Sequence, residues 1–397
     1  MTIETPPIIR ARFTALEVTN FLSYKQARLE LTDLIALVGP NASGKSNVVA
    51  AIKLLREIPI HGLPIALARR GGYDQLRHKS NGRPNDPSLR LEFELEDSRT
   101  SYYEIRFGAV PPRSYKVKSE SAEIALNGQI LRFTSDGMQV QFDQFETIID
   151  RDGAEEGGEE PRQVRRKFPV APGQSALSSA GTAGYICFQV LQQMQTVEIN
   201  PSTVAELQEP SSTKEFEPDG SNSTSVFELL TPGAKAELID ELNAIVPGIV
   251  RIEIQRLSDR QTFKFFQSTQ NGNREFFAKQ MSDGTLRAFS ILLAMKQPRR
   301  PGLLVIEEPE VAIHLGALRT LVDIIRQESD GAQIVLTTHS ADIVDSVPIE
   351  SLRVVSSEDG ESHIGLVAKH TIQTVQKNLI TPGELLRADS LDVETES

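Results

Sequence analysis

Apolar positions open the chain in short runs spaced for strands. Phe13 to Val18 and Arg28 to Leu31 carry such runs, and Leu34 to Val38 is apolar throughout, short and bounded by turn residues, which predicts a buried strand. The period then changes. Val48, Val49, Ile52 and Leu55 share one face at helical spacing, predicting a helix from Lys45 to about Glu57 that Pro59 ends. Leu89 to Leu95, Tyr102 to Phe107, Tyr115 to Ile124, Gln129 to Phe133 and Met138 to Phe142 alternate polar and apolar residues between turn signals, the pattern of an antiparallel sheet. Beyond Gly184 the pattern predicts a helical segment, a strand at Thr196 to Ile199, a loop through Gly220, a helix from Pro232 to Ile245, and strands near Val250 to Leu257 and Gln261 to Phe266. The last third alternates: helix Thr285 to Met295, strand Leu303 to Ile306, helix Leu315 to Gln327, strand Gln333 to Thr337. That order implies a parallel sheet covered by helices. No internal repeat or long heptad pattern competes with it.

Composition narrows the class. The 397 residues allow one large or two to three interleaved domains, and 39% hydrophobic with 24% charged residues is the balance of a globular chain. No run approaches the roughly 18 apolar residues of a membrane span. The start, Met1 to Arg12, has neither a secretory nor a transit pattern, so a cytoplasmic address and no membrane partner are expected. A net charge of −12 disfavours nucleic-acid binding by the whole surface and leaves only local contact. The single cysteine, Cys187, excludes an intramolecular disulfide framework and cysteine-built metal sites. Between Ile65 and Arg90, Arg69, Arg70, Arg77, Lys79, Arg83 and Arg90 face only Asp74 and Asp86. This basic stretch reads first as a solvated loop and second, around Arg77 and Arg83, as a phosphate-neutralising contact. The acidic run Asp150 to Glu160 and the glycine- and serine-containing stretch to Gly184 read as a flexible linker, with Arg165, Arg166 and Lys167 as linker charges.

The chemistry concentrates at a few strand ends. Gly39-Pro40-Asn41-Ala42-Ser43-Gly44-Lys45-Ser46 follows an apolar strand and opens a helix. Backbone N–H groups of such a loop, through Asn47, wrap a triphosphate; Lys45 reaches the β and γ phosphates and Ser46 holds Mg²⁺. Leu303 to Pro309 delivers two adjacent carboxylates to the end of a second buried strand. There Glu307 is expected to hold the metal's hydration shell and Glu308 to orient or deprotonate an attacking water. A third strand, Gln333 to Thr337, leads to His339, whose imidazole can hydrogen-bond a γ-phosphate and the lytic water. Met281-Ser282-Asp283-Gly284-Thr285 starts a helix; Ser282 is a natural cap, and the helix amino end is also an anion site with no phosphate loop of its own.

In this order the motifs resemble ABC-type ATPases of the RecF, SMC and OLD kind, especially bacterial AAA-type ATPases without a Toprim nuclease domain. The resemblance rests on the Asn20-Phe21-Leu22-Ser23 lead-in, Gly39 to Ser46 as Walker A, Met281 to Thr285 as signature, Ile306 to Glu310 as Walker B and Thr337 to Ser340 as switch-histidine loop. It implies an α/β P-loop fold: an ABC-ATPase-like head, a mixed sheet flanked by helices, with an inserted antiparallel β lobe and a helical segment. The implied division is 1–64 and 280–388 for the head, 65–148 for the basic loop and β lobe, 149–184 for the linker, 185–279 for a helical and strand lobe, and 389–397 for a disordered tail. It further implies ATP and Mg²⁺ as ligands, with Lys45, Glu308 and His339 catalytic and Ser46 and Glu307 at the metal. In such a homodimer, Ser282, Asp283 and Gly284 of one head reach the ATP held by the other.

This sequence departs from the wider pattern at Glu307, where aspartate is commoner, at Asp283 and Thr285 in the signature, and at Leu315 after His314. The Q-loop glutamine stays open among Gln189, Gln192 and Gln193. Two functions follow. The first is a Mg²⁺-dependent dimeric ATPase that drives or gates a DNA-related process such as repair or phage defence. The second is a slow ATP sensor or scaffold that regulates a separately encoded effector protein.

Overall fold

The structure, a computed structural model, describes residues 9–79, 85–96, 98–112, 114–146, 162–270, 272–377 and 379–394. Along the chain run β1 (Arg12–Phe21), β2 (Tyr24–Glu30), β3 (Leu34–Val38), α1 (Lys45–His61), α2 (Leu63–Ala68), α3 (Tyr73–Leu76), β4 (Ser88–Glu94), β5 (Thr100–Val110), β6 (Ser114–Leu126), β7 (Gln129–Ser135), β8 (Gln139–Glu146) and β9 (Arg162–Pro169). There follow α4 (Gly181–Leu191), β10 (Met194–Val197), α5 (Pro201–Ala205), α6 (Ser223–Leu229), α7 (Pro232–Ile245), β11 (Ile249–Leu257), β12 (Arg260–Thr269), β13 (Gly272–Phe277) and α8 (Asp283–Lys296). The last elements are β14 (Leu303–Glu307), α9 (Leu315–Glu328), β15 (Gln333–Thr338), α10 (Ala341–Val344), β16 (Leu352–Glu358), β17 (Glu361–Leu366), α11 (Lys369–Gln376) and α12 (Pro382–Arg387). Contacts divide the chain into one unit of residues 1–31, 46–194 and 358–363 and a second of 32–45, 195–357 and 364–397.

The first unit holds an antiparallel sheet in the order β2-β1-β4-β5-β6-β7-β8-β9. The alternation of Leu89, Leu91 and Phe93 against Arg90 and Glu92 puts the former three in the core and the latter two on the other face. The strands expected to form an inserted lobe share this sheet with β1 and β2. β4 pairs along β1, Leu91 opposite Leu16, so the opening strands and the expected insertion form one layer. The linker reading also changes. Residues 147–161 lie outside the described residues, but Arg162–Pro169 pairs with β8, and Phe168 stacks on Phe142 at 5.8 Å. Strand pairing outweighs a composition that by local signals reads as loop. Residues 170–180 pack as well, with Val170, Ala176, Leu177 and Ala180 buried. Pro59 does not end α1, which continues to His61 and stops at Gly62, φ 81°. In the segment expected to be a solvated basic loop, Arg70 grips Glu57 at 2.8 and 3.1 Å, and Arg77 lies over the Tyr73 ring, 5.3 Å from its centroid. Arg83 lies outside the described residues.

The second unit is built on a sheet ordered β10-β14-β15-β3-β16-β17, in which β14, β15, β3 and β16 run parallel. The parallel neighbours β14, β15, β3 and β16 are far apart in sequence, as crossover connections require, whereas β16 and β17 follow each other directly. α8 is buried over most of its length, its Phe289 4.8 Å from the Phe263 ring in a cluster with Phe227 and Phe265. β11, β12 and β13 form a further antiparallel sheet; β13 and the short helices α5 and α6 had no clear periodicity in sequence. The tail expected beyond Ala388 is ordered as far as it is described: Leu391 is buried and Val393 bridges Val367.

Candidate nucleotide site

Parallel pairing decides where the motifs meet. Glu307 at the end of β14 is opposite Thr337 of β15, and Thr338 is opposite Val38 at the end of β3. Strands lie about 4.8 Å apart, so the ends of β3, β15 and β14 bring the Gly39–Lys45 loop, His339 and the Glu307–Glu308 carboxylate pair to one edge.

The loop between β3 and α1 is shaped by its small residues. A Cβ on Gly39 would lie 2.1 Å from the carbonyl oxygen of Val355, so only glycine fits there. Gly44 adopts φ 119° and Ala42 φ 63°, turning successive peptides within the loop. Ser43 and Lys45 are buried, whereas Pro40, Asn41, Ala42 and Ser46 are exposed. The Lys45 ammonium donates to the carbonyls of Gly39 at 2.7 Å and Pro40 at 2.9 Å. Burial lowers its pKa, and the charges of Glu308 and Glu310 act against that shift. Polyphosphate oxygens would restore what burial removes. Ser46 stands in the first turn of α1. Asn47 turns its amide to Ser23 at 2.6 Å, and Ser23 also bonds Ser362 at 2.6 Å, so the lead-in turn of the resemblance braces the start of α1.

At the second strand end the chain turns sharply. Glu308 has φ 45°, a left-handed conformation that costs a non-glycine residue about 1–3 kcal/mol unless neighbours hold it. They do: its N–H donates to the carbonyl and hydroxyl oxygens of Thr337 at 3.0 and 3.2 Å. The half-exposed carboxylate of Glu308 lies 3.8 Å from His339 Nδ1. Glu310 comes closer still, at 3.5 Å from the same nitrogen. Sequence reasoning included Glu310 in the motif but gave it no role; its only signal is the spacing Glu307-Glu308-Pro309-Glu310. Glu307, at the end of β14, offers hard carboxylate oxygens of the kind that suit Mg²⁺.

Ser282 caps α8, accepting from Thr285 N at 3.3 Å, and Asp283 stands exposed beside it. Gly284 packs so closely on the loop after β14 that a Cβ would lie 2.2 Å from the Ala312 carbonyl oxygen. Arg287, a turn further along α8, reaches the Glu308 carbonyl at 3.4 Å. Burial lowers its pKa, while Glu308, Glu310, Asp283 and Glu198 hold its charge. His314 caps α9, its Nδ1 accepting from Gly316 N at 3.2 Å.

Other candidates go elsewhere. Gln193 is committed to the backbone of Ile9 at 2.6 Å and Ala11 at 3.2 Å, anchoring the start of β1. Glu237, Glu241 and Glu328 converge in a manner that could hold a metal ion, but the buried Lys296 ammonium sits among them at 3.1, 2.9 and 2.8 Å. That cation answers their charge.

The fold is that of the head domains of SMC proteins. Two solved structures show this likeness. An SMC head bound to the C-terminal winged-helix domain of ScpA matches with a TM-score of 0.57 at 14% identity, over 91% of this chain and 99% of that one. The Pyrococcus furiosus Smc head with an extended coiled coil, bound to the ScpA C-terminal domain, matches with a TM-score of 0.58 at 10% identity, over 93% and 99%. No curated protein matches the sequence. Residues 34–163 and 168–345 match the family described as "AAA domain, putative AbiEii toxin, Type IV TA system", and the chain belongs to that family. Among the described residues no helix is long and apolar enough to cross a membrane.

Proposed function

We propose that the protein binds ATP with Mg²⁺ and hydrolyses it, as a homodimer in which each signature motif completes the partner's nucleotide site. The observation that carries this reading is the convergence of Gly39 to Lys45, Glu307 with Glu308, and His339 at the ends of three neighbouring parallel strands. Loop N–H groups bind the triphosphate, and Lys45 exchanges its carbonyl partners for phosphate oxygens. Glu308 orients a water and takes its proton as the water oxygen bonds to the γ-phosphorus; the bond to the bridging oxygen breaks and ADP leaves. His339 accepts a hydrogen bond from the attacking water at its free ring nitrogen and helps to orient it. Ser46 and Glu307 are the residues that would hold Mg²⁺, which when bound neutralises charge on the phosphates. Ser282 and Asp283, which are exposed, are the residues that would meet a second copy. We place the task of this cycle with DNA, in repair or phage defence, executed by DNA contact or a separately encoded effector protein.

Phosphate release and light scattering of wild type, Lys45→Ala and Glu308→Gln test the reading. The expected result is at least about a 10²-fold loss of turnover in Glu308→Gln with ATP still bound and a stable dimer trapped. Equal rates in wild type and Glu308→Gln, with the dimer retained, would make the protein an ATP sensor. Undiminished ATP affinity in Lys45→Ala would sink the nucleotide site altogether.

A further inference from the structure

Three consecutive residues of the switch loop hang on one carboxylate. The Thr338 hydroxyl donates to Glu310 Oε1 at 2.7 Å, and the His339 N–H donates to the same oxygen at 3.1 Å. The Ser340 N–H in turn donates to the Thr338 hydroxyl oxygen at 2.9 Å. The peptide before the imidazole is thereby fixed to Glu310 directly and the one after it through the Thr338 hydroxyl; the Glu310 side chain is only 9% exposed. Its other oxygen, Oε2, is buried and accepts no hydrogen bond among the described residues. Burying a polar atom without a partner costs about 1–3 kcal/mol, so packing alone would favour an apolar residue or a shorter hydroxyl here.

We propose that Glu310 is a positioning residue for the hydrolytic step, acting through His339. The inference rests on the reading of the site as an ATPase. One oxygen clamps the loop; the negative charge, 3.5 Å from Nδ1, keeps the ring proton on that nitrogen. The orientation and tautomer of the imidazole are then set before nucleotide arrives, which spares that ordering during catalysis. Glu308, 3.8 Å from Nδ1, adds to the same field but is needed for the water. Glu310 carries no such duty. Its clamp also binds the end of β15 to the loop after β14, so that strand separation and histidine placement change together.

Two readouts test this on the full-length protein: steady-state ATP hydrolysis, and nitrogen NMR of ¹⁵N-histidine-labelled protein at fixed neutral pH, with His339→Ala assigning the signal. Glu310→Gln keeps an acceptor for Thr338 and His339 but removes the charge. It is expected to shift His339 away from the Nδ1–H tautomer and to lower kcat about tenfold, with KM within about twofold of wild type. Thr338→Val is expected to lower kcat likewise, and Thr338→Ser to restore it. Glu310→Ala should be worse than Glu310→Gln; where it fails to fold, the two volume-conserving variants carry the test. Unchanged kcat and an unchanged tautomer in Glu310→Gln would overturn the proposal. If wild type and Glu308→Gln release phosphate equally slowly, the ATPase reading fails, and the histidine spectrum alone decides: a shift in Glu310→Gln sustains the positioning role, and no shift ends it.

Discussion

At Gly39 one missing methyl group decides the shape of the phosphate loop. A side-chain carbon 2.1 Å from the Val355 carbonyl oxygen can be relieved only by moving β3, β16 or the loop. Gly39→Ala is therefore expected to destabilise the fold by about 1–3 kcal/mol and to lose ATP affinity, as thermal unfolding and calorimetric titration will show. Wild-type affinity in a fully folded variant would contradict the close approach. The loop was legible because glycine spacing, a flanking lysine and the preceding apolar strand are local features. Glu310 was not. Its role depends on Thr338 and His339, which stand nearly thirty residues away in the chain. A residue-by-residue reading finds groups that perform chemistry more readily than groups that hold them in place, because the holders are recognised only by their partners.

Among the elements, α4 and the loop before it are tied to the antiparallel sheet by a buried acid. Glu120 accepts from the Tyr103 hydroxyl at 2.8 Å, the Ser175 hydroxyl at 2.6 Å and the Ala176 N–H at 2.7 Å. Burial raises its pKa above the ordinary 4.5, opposed by these three donors. A raised folded-state value means that the native state binds the proton more tightly than the unfolded chain. The protonated carboxyl's advantage is thus fully present below the unfolded value and is lost as pH rises through the folded one. Relative to Glu120→Gln, wild type is expected to lose stability as pH rises above the ordinary glutamate value, measured by denaturant unfolding at a series of pH values. A difference independent of pH would show that the carboxyl keeps its ordinary affinity for the proton. The eight strands of this sheet also show where element prediction ends. β4 to β8 were visible through alternation, but β9 carries Arg162-Gln163-Val164-Arg165-Arg166-Lys167, with no clean period. Its pairing with β8 supplies what its sequence pattern lacks.

For the molecule as a whole, the proposed dimer places function beyond any one chain. Ser282 and Asp283 are exposed, and the start of α8 rests on the 310–313 loop through Gly284. Ser282→Arg puts a bulky cation on the face proposed to meet the partner's nucleotide. It is expected to leave ATP binding by the single chain within about twofold, while abolishing ATP-dependent dimerisation and at least about 90% of turnover, by light scattering and phosphate release. A variant that dimerises and turns over normally would remove the trans-acting role of the signature.

Apolar periodicity, glycine placement and the order of motifs were enough to predict the strands and helices of the parallel core, the Gly39–Ser46 loop and the strand-end acids, since each leaves a local pattern of residue types in the chain. Other features arose only on folding: the joining of β1 to β4, the recruitment of β9, the burial of Lys296 among three glutamates, and the clamp of Glu310 on the switch loop. Each depends on groups distant in sequence finding complementary hydrogen bonds or charges, and a linear pattern carries no record of such pairs.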